Sequence, residues 1–393
     1  MKVVMVRYGE LFLKSEPVKR YFINALVNNI RQALDAEGHS FRFETPRGRL
    51  LVYGDDPDAM AVIISRIFGI VDVNVCTLTR GTIDEISAAA VELADAHLTP
   101  GMSFAVRPRR QGVKGFTSQE LGAAIGDAIC RNHPDVSVDL DFPDYEVFVE
   151  ARDFGGLICD TRKKAPGGLP WGTQGRVISL LSAGIDSPVA SWLAMRRGCE
   201  VIHLHIDSGS WAGINVLGST IENHRKLSLW CRGFPLTLLV LNNETLHETM
   251  HDRVEARYVC VLCKRFMMRA ASRLMEEHHA VGLVTGENLG QVASQTLSNL
   301  AVIARAAPPL VIRPLVTYDK METVTLAREI GTFNPTPGDL CCRAVPSMPA
   351  TEANLGAVVR CEEKIDSIAL LDEAMSTLRT ITALNGEILT ANF

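Results

Sequence analysis

Apolar and polar positions along the chain fall into two regimes. Up to about residue 165, short alternating or β-branched runs are interleaved with amphipathic segments of helical period, the pattern of α+β units. The first run, Met1 to Arg7, predicts a strand. Phe22, Leu26, Ile30 and Leu34 recur at helical spacing and predict a helix over about Pro17 to Glu37 with one core-facing side. Strands are expected around Phe41 to Phe43 and Arg49 to Val52. Helices near Pro57 to Phe68, Ile83 to His97 and Ser118 to Asn132 then alternate with strands at Gly101 to Arg107, Val136 to Asp141 and Glu146 to Arg152. A Gly- and Pro-rich stretch, APGGLPWGTQG from Ala165 to Gly175, marks a boundary. Beyond it strands and helices alternate strictly. Strands at Val177 to Leu181, Glu200 to Ile206, Pro235 to Leu241, Val281 to Thr285 and Leu310 to Arg313 are separated by helices near Pro188 to Arg197, Gly218 to Cys231, Leu246 to Glu277, Gln291 to Ile303 and Lys320 to Ile330. That order predicts an α/β doubly wound parallel sheet, with ligands at the carboxyl ends of its strands.

Composition narrows the class. The chain has 393 residues, 47% hydrophobic and 22% charged, enough for two or three globular domains. No run approaches the ~18 uncharged apolar residues of a membrane helix. The N-terminus reads as a strand and not as a signal peptide, so a cytoplasmic protein without a membrane partner is expected. A net charge of -5 means that any nucleic acid must be held by a local basic patch. Such a patch lies in FAVRPRRQGVKGF, where Arg107, Arg109, Arg110 and Lys114 place four positive charges and no negative one in thirteen residues, with Phe116 as a candidate stacking group. Arg162, Lys163 and Lys164 add a second cationic group.

The stretch RVISLLSAGIDSPVASWLAMRR, Arg176 to Arg197, carries the first chemical signal. A buried strand runs into the small polar loop Ser182 to Ser187, and Pro188 opens a helix that Ser187 is placed to cap. A helix N-terminus behind a small-residue loop suits phosphate. The loop lacks the lysine of a Walker A motif and the glycines of a dinucleotide fingerprint. What remains, Ser-x-Gly-x-Asp-Ser, resembles the pyrophosphate loop (PP-loop) of ATP pyrophosphatases, with Ser182, Gly184 and Ser187 at the phosphates. Asp186 is a candidate Mg2+ ligand acting through the pyrophosphate. Lys264 and Arg265 are placed to neutralise the transferring phosphoryl group. His205, at the end of the second strand, is a candidate for adenine or ribose. In TGENLGQVASQT, Gly286 allows close backbone approach to a nucleotide and Gln295 offers an amide to base or phosphate.

Ten cysteines carry the second signal. Cys76, Cys130, Cys159, Cys199, Cys231 and Cys361 read as small buried residues. Cys260 and Cys263 share one helical face beside Lys264 and Arg265, cations expected to lower their pKa values. Cys341 and Cys342 lie downstream. Three readings stay open: an iron-sulfur cluster, a persulfide or disulfide pair, and a structural zinc or inert set.

Taken together, RYGELFLKS at Arg7 to Ser15, the basic segment, GGLPWGTQG, LLSAGIDSPVA, KRFMMRAAS at Lys264 to Ser272, TGENLGQVASQT and RPLVTYDK at Arg313 to Lys320 resemble the tRNA 4-thiouridine synthetases nearly end to end. The resemblance implies an N-terminal ferredoxin-like domain (1–57), a THUMP domain (58–165) that helps to hold the tRNA acceptor end, a linker (166–175) and a PP-loop pyrophosphatase domain (176–393). It implies ATP contacts at Leu180, Leu181, His205, Ile206, Lys264, Gly286 and Gln295, with Asp186 needed for adenylation. The implied reaction adenylates O4 of uridine at position eight of tRNA and replaces it with sulfur.

Three departures from the commonest pattern stand out. Ala183 occupies a position that is usually glycine. No rhodanese domain follows, so sulfur is expected as sulfide or from a persulfide donor such as a cysteine desulfurase. Cys260 and Cys263 resemble archaeal-type relatives in which this pair and one downstream cysteine bind an iron-sulfur (4Fe-4S) cluster; Pro346 and Pro349 favour Cys341 for the third place, with Cys342 as the alternative. A 2-thiouridine synthetase and a non-catalytic tRNA-binding protein with a degenerate loop are the competing readings. A homodimer, the sulfur donor and a role in thiamine synthesis stay open.

Overall fold

The computed structural model describes residues 1–9, 15–46, 49–335, 339–340 and 342–391. Backbone contacts divide the chain into two compact units, one built from Met1–Lys14 and Leu34–Gly167, the other from Ser15–Ala33 and Gly168–Phe393.

In the first unit, β1 (Lys2–Tyr8), β2 (Phe41–Glu44), β3 (Leu50–Gly54), β4 (Ile70–Thr79), β5 (Ser103–Gln111), β6 (Ser137–Val138), β7 (Tyr145–Arg152) and β8 (Gly155–Cys159) form one sheet in the order β2-β3-β1-β4-β8-β7-β5-β6, with β9 (Lys163–Lys164) pairing to β4. Helix α1 (Glu16–Asp35) follows β1 in the chain but belongs, up to Ala33, to the second unit; Phe22, Leu26, Ile30 and Leu34 are all buried, as their spacing predicts. Helix α2 (Pro57–Ile64) packs on β1 and β4; α3 (Ile83–Asp95) and α4 (Ser118–Asn132) pack on each other and enclose Phe104, Val147, Val149 and Ile158. Thr82 and Thr117 cap α3 and α4, the second with a full capping box to Glu120.

Strands β4 and β8 were not expected from the sequence. Strand β4 carries Asp72 and Asn74 at buried positions, which breaks the apolar alternation that announces a strand; in the sheet Asp72 is paired with Arg7 and Asn74 donates to Asp72. Strand β8 opens with two glycines.

The second unit is a three-layer α/β fold. Strands β10 (Arg176–Leu180), β11 (Glu200–Asp207), β12 (Leu236–Asn242), β13 (Gly282–Val284) and β14 (Val311–Ile312) are parallel in the order β14-β13-β10-β11-β12, and the antiparallel hairpin β15 (Arg379–Leu384) and β16 (Glu387–Ala391) continues the sheet beyond β12. On one face lie α5 (Asp186–Arg196) and α6 (Val216–Ser228); α7 (Glu244–Arg253), α8 (Val259–Glu277) and α9 (Leu297–Ala304) form the other layer, with α10 (Lys320–Glu329) packed on α5. Helices α11 (Leu355–Lys364) and α12 (Ser367–Ser376) complete the layer around α8. Successive crossovers carry the chain from β10 to β11 and β12 on one side, then back to β13 on the other. The carboxyl end of β10 is therefore the switch point at which such sheets bind ligands.

Three expected features differ. The single helix from Leu246 to Glu277 is broken where Val254 turns extended and a 3-10 turn, Ala256–Tyr258, restarts the chain. The helix expected from Gln291 begins only at Leu297, because Thr296 caps it through Asn299, and the preceding loop stays free to carry side chains to the site. The stretch that composition marks as a linker is packed: Leu169 and Trp171 are buried, and a Cβ on Gly168, whose φ is +78°, would meet the Arg196 carbonyl oxygen at 2.0 Å.

Candidate active site

The site begins where β10 ends. Leu181 hangs from β11 through its N–H to the Leu204 carbonyl at 2.8 Å, and Ser182 to Ile185 then turn into α5. Ser187 does not cap this helix as expected. Its hydroxyl accepts from the Ser182 N–H at 2.8 Å and meets the Ser182 hydroxyl at 2.8 Å, so the two serines close the loop on itself. The Ser182 hydroxyl also accepts from the Gly184 N–H at 3.3 Å. From outside the loop, Asn223 donates to the Ser182 carbonyl at 3.1 Å. With Ile185 at the cap position and no side chain on the first amides, the helix N-terminus keeps its donors for a ligand. Neither Ala183 nor Gly184 has a positive φ, so the alanine methyl imposes no backbone strain there.

A cavity of about 360 Å³ opens above this loop. Leu180, Leu181, Ser182, Gly184, Asp186 and Ser187 form its floor. Strand β11 contributes His205 and Ile206, α8 contributes Cys263, Lys264 and Met267, and the loop after β13 contributes Gly286, Glu287 and Gln295. Cys342 lines it as well. The nucleotide candidates thus share one space with Cys263 and Cys342, whereas Cys260 is not in its lining.

Two lining side chains present polar atoms without a protein partner among the described residues. His205 is 3% exposed; its Nδ1 donates to the Leu181 carbonyl at 3.0 Å, which leaves Nε2 as an unpartnered acceptor. Burial holds its pKa below the ordinary histidine value, against the opposing pull of Leu181 and Asp207, so the ring is neutral. Gln295 Oε1 is likewise buried without a partner.

Charge is organised by two carboxylates. Lys264 reaches Glu287 at 3.2 Å, and Glu287 also receives Arg313 at 2.7 Å and the Thr285 hydroxyl at 3.2 Å. Burial would raise the Glu287 pKa, but the charges of Lys264 and Arg313 outweigh it and hold the carboxyl below its usual range. Asp186 is met by Lys320 at 2.7 and 2.9 Å and by Gln291 at 2.9 Å, so both its oxygens are engaged. Glu287, Gln291, Arg313 and Lys320 were not singled out as site residues. All four lie within TGENLGQVASQT or RPLVTYDK, the segments that the family resemblance highlights. Arg265 is not a phosphate ligand as expected: it is buried, with both Glu362 oxygens at 2.8 and 2.9 Å and the Val302 carbonyl at 2.6 Å. Arg269 grips the same carboxylate.

The thiols differ from expectation in their acidity. Cys260 and Cys263 lie on one face of α8, but burial, with smaller contributions from neighbouring thiols including Cys342, raises both pKa values, that of Cys263 to about 12; Lys264 only partly opposes this. His247 Nε2 lies 3.8 Å from Cys263 Sγ, and Trp211 stacks on the His247 ring at 6.1 Å. Cys341 lies outside the described residues. Among the described residues no group of three or more His, Cys, Asp or Glu side chains is arranged to hold a metal ion. Cys76, Cys159, Cys199, Cys231 and Cys361 are buried, as their expected role requires, and Cys130 is half-buried.

In the first unit the basic cluster is divided by the pleat of β5. Arg107 is paired with Glu146 at 2.6 Å, Arg110 donates to the Val113 carbonyl, and Arg109 and Lys114 are exposed. Arg162 lies 3.7 Å above the Phe148 ring, where burial and the charges of Arg7 and Arg109 depress its pKa. Phe116 is half-buried and packs on the core of α3 and α4.

Three family models match: a ThiI ferredoxin-like domain over residues 3–74, a THUMP domain over 80–158, and Thiamine biosynthesis protein (ThiI) over 172–367. A probable tRNA sulfurtransferase of Methanosarcina mazei is 34% identical over 388 residues, covering 96% of this chain and 95% of its own. The chain belongs to the tRNA sulfurtransferase family. A second sulfurtransferase, from Thermococcus kodakarensis, is 38% identical over 346 residues, covering 84% of this chain and 88% of its own. Among solved structures, a 4-thiouridine synthetase in complex with RNA and with bound ATP aligns with a TM-score of 0.85 at 31% identity, covering 98% of this chain and all of that one. The sulfurtransferase fold is accordingly ferredoxin-like and THUMP domains followed by a PP-loop domain. No helix among the described residues is long and apolar enough to cross a membrane.

Proposed function

We propose that this sulfurtransferase converts uridine at position eight of tRNA to 4-thiouridine by adenylation followed by sulfur transfer. The observation that carries this reading is the single cavity in which the PP-loop, Lys264, Cys263 and Cys342 meet. A carbonyl oxygen leaves poorly, so it must first be activated. O4 of the uracil attacks the α-phosphorus of ATP; the bond from that phosphorus to its bridging oxygen breaks, its electron pair leaves with pyrophosphate, and the N3 proton passes to solvent. Hydrosulfide then adds at C4, the C4–O bond breaks with its pair on AMP, and the proton that sulfur carried is passed to N3, leaving the thiocarbonyl. In this reading the loop amides at the start of α5 and the Lys264 ammonium meet the charge that develops on the phosphoryl group, where preorganised donors accelerate most. Gln295 Oε1 and His205 Nε2 are acceptors suited to the adenine amino group and a ribose hydroxyl.

The thiols serve the second step in this reading. Cys260 and Cys263, with Cys341 or Cys342, are a soft donor set suited to iron and sulfide; a cluster held by three of them would supply one open iron position for the delivered sulfur. The cavity position of Cys342 supports it as the third ligand. tRNA would be held by the ferredoxin-like and THUMP domains, with Arg109, Lys114 and Arg162 contributing cations to phosphate.

The test is anaerobic incubation of the chain with unmodified tRNA, ATP, Mg2+ and sulfide, read by nucleoside mass spectrometry and AMP release. Wild type is expected to form 4-thiouridine at position eight. Asp186→Ala is expected to abolish it while tRNA retention on filters persists; thiolation retained in that variant would sink the adenylation assignment.

A further inference from the structure

The proposed reaction brings two atoms of one base, O4 and C4, into the cavity where the PP-loop meets Cys263 and Cys342. A uracil stacked within a folded RNA does not offer them there. Enzymes that act on such a base extrude it, receive it on a flat or apolar side chain and, in many nucleic-acid complexes, fill the vacated step with an apolar wedge. Among the described residues the cavity lining holds no Phe, Tyr or Trp, so the receiving ring must come from beside it.

The loop between β11 and α6 carries a residue of each kind. It leaves and rejoins the cavity wall, where Ser208 and Val216 both lie. Between them Trp211 ends a 3-10 turn, Gly209–Trp211. Its indole lies on the His247 ring, with centroids 6.1 Å and planes 29° apart, and beside His251 at 5.6 Å; both histidines belong to α7. His247 Nε2 is 3.8 Å from Cys263 Sγ, and the Trp211 carbonyl accepts from the N–H of Arg343, the residue after Cys342, at 2.8 Å. Trp211 is thus tied to the segments that carry both lining thiols. It is half-buried, so the part of the indole that α7 does not cover is open to another ring. Three residues further on, Ile214 is 86% exposed. The backbone that presents it is held: Glu244 accepts from the Ser210 N–H at 2.9 Å, Asp207 accepts from the Gly209 N–H at 3.1 Å, and a Cβ on Gly213 would collide with the Asp339 carbonyl.

We infer that this loop takes the target uracil out of the RNA stack, Trp211 receiving the flipped base beside Cys263 and Cys342 and Ile214 entering the step it leaves. The inference rests on the uridine thiolation proposed above and names the residues that admit the base to that site. Trp211 binds the base and takes no part in bond breaking. Stacking has little directionality within the ring plane, so one platform supports the uracil while O4 meets phosphorus and while C4 then meets sulfur. Every base has such a face, so Trp211 supplies affinity for an extruded base and leaves the choice of uracil to the groups that meet O4.

The full chain is titrated by fluorescence anisotropy with labelled tRNA carrying either uridine or an abasic site at the target position. An ATP analogue with a methylene in place of the α,β-bridging oxygen is present throughout. Trp211→Leu keeps apolar bulk and removes the ring; it is expected to weaken uridine tRNA about tenfold and abasic tRNA by no more than about twofold, and Trp211→Phe to stay within about threefold of wild type on both. Calorimetric ATP affinity without tRNA should stay within about twofold in each variant. Ile214→Ala is expected to slow thiolation about fivefold and to recover on a tRNA in which the target uridine is mismatched, for which extrusion costs less. Equal losses on uridine and abasic tRNA would make the indole a loop anchor and overturn the platform; an Ile214→Ala rate that the mismatch does not restore, or no change at all, overturns the wedge. The anisotropy arm needs no turnover, so a wild type that shows the uridine-specific Trp211 dependence but makes no thiouridine refutes the proposed reaction and leaves the platform standing.

Discussion

Glu287 shows how far a single residue can be read. Its segment is visible in the sequence as a polar stretch between two apolar ones, but its partners are Lys264, 23 positions before it, and Arg313, 26 positions after it. Only the fold brings the three together. Glu287→Gln would leave two cations facing a neutral amide in a buried setting, and a loss of roughly 3 kcal/mol in denaturant stability is expected. The pH dependence follows from the depressed pKa. The carboxylate's contribution is complete above the ordinary glutamate value of about 4.3 and disappears as pH falls through the lower folded value, so wild type and variant should converge in strong acid. The loop itself was legible because Ser182, Gly184, Asp186 and Ser187 are neighbours in sequence. Lys320 was not, because it lies 134 residues from Asp186. The same limit applied to the thiols: Lys264 beside Cys263 suggested an acidic thiol, and burial, which sequence does not display, reverses the sign.

At the scale of elements, the start of α5 is fixed by another loop. A Cβ on Gly286 would lie 2.7 Å from both the Ser187 nitrogen and Cα, so this glycine packs against the PP-loop helix while it also lines the cavity. A Cβ on Gly184 would meet only the Ser182 hydroxyl, at 3.5 Å. Gly286→Ala is therefore expected to cost about 1–3 kcal/mol in thermal or denaturant stability and to weaken ATP binding, whereas Gly184→Ala should leave the melting temperature nearly unchanged. Element types were readable wherever one period governed a whole segment, as in β10, α4 and α10. They failed where the periodicity ran through a break: nothing in the polar composition around Val254 announces that the chain leaves the helix there, yet that break sets the start of α8, with Cys263, at the cavity. The C-terminal hairpin of β15 and β16 gave no signal strong enough to place it beside β12.

For the molecule as a whole, the second unit stores four buried neutral histidines. His203, His205, His224 and His247 are each at most 3% exposed, and burial depresses all four, His247 to about 4 and His224 to about 3. His203 bonds Ser191 at 2.6 Å and His224 at 2.8 Å within the layer of α5 and α6. Below about 6.5 the unfolded chain takes up protons that the folded chain refuses, so stability must fall as pH drops from there toward the depressed values, by at most about 1.4 kcal/mol per pH unit for each ring. Melting temperatures recorded from pH 7.5 to 5 should decline before carboxylates begin to titrate; a flat profile would contradict this. The parallel arrangement of the second unit was legible from strict alternation of strands and helices. The pairing in the first unit was not, because β4, which joins its two halves, hides buried polar residues. Strand β4 is hydrogen-bonded to β1 on one side and to β8 on the other. The segments matched by the ferredoxin-like and THUMP models therefore share one ladder. A recombination event that parted them would leave an open edge on each product, the kind along which chains aggregate.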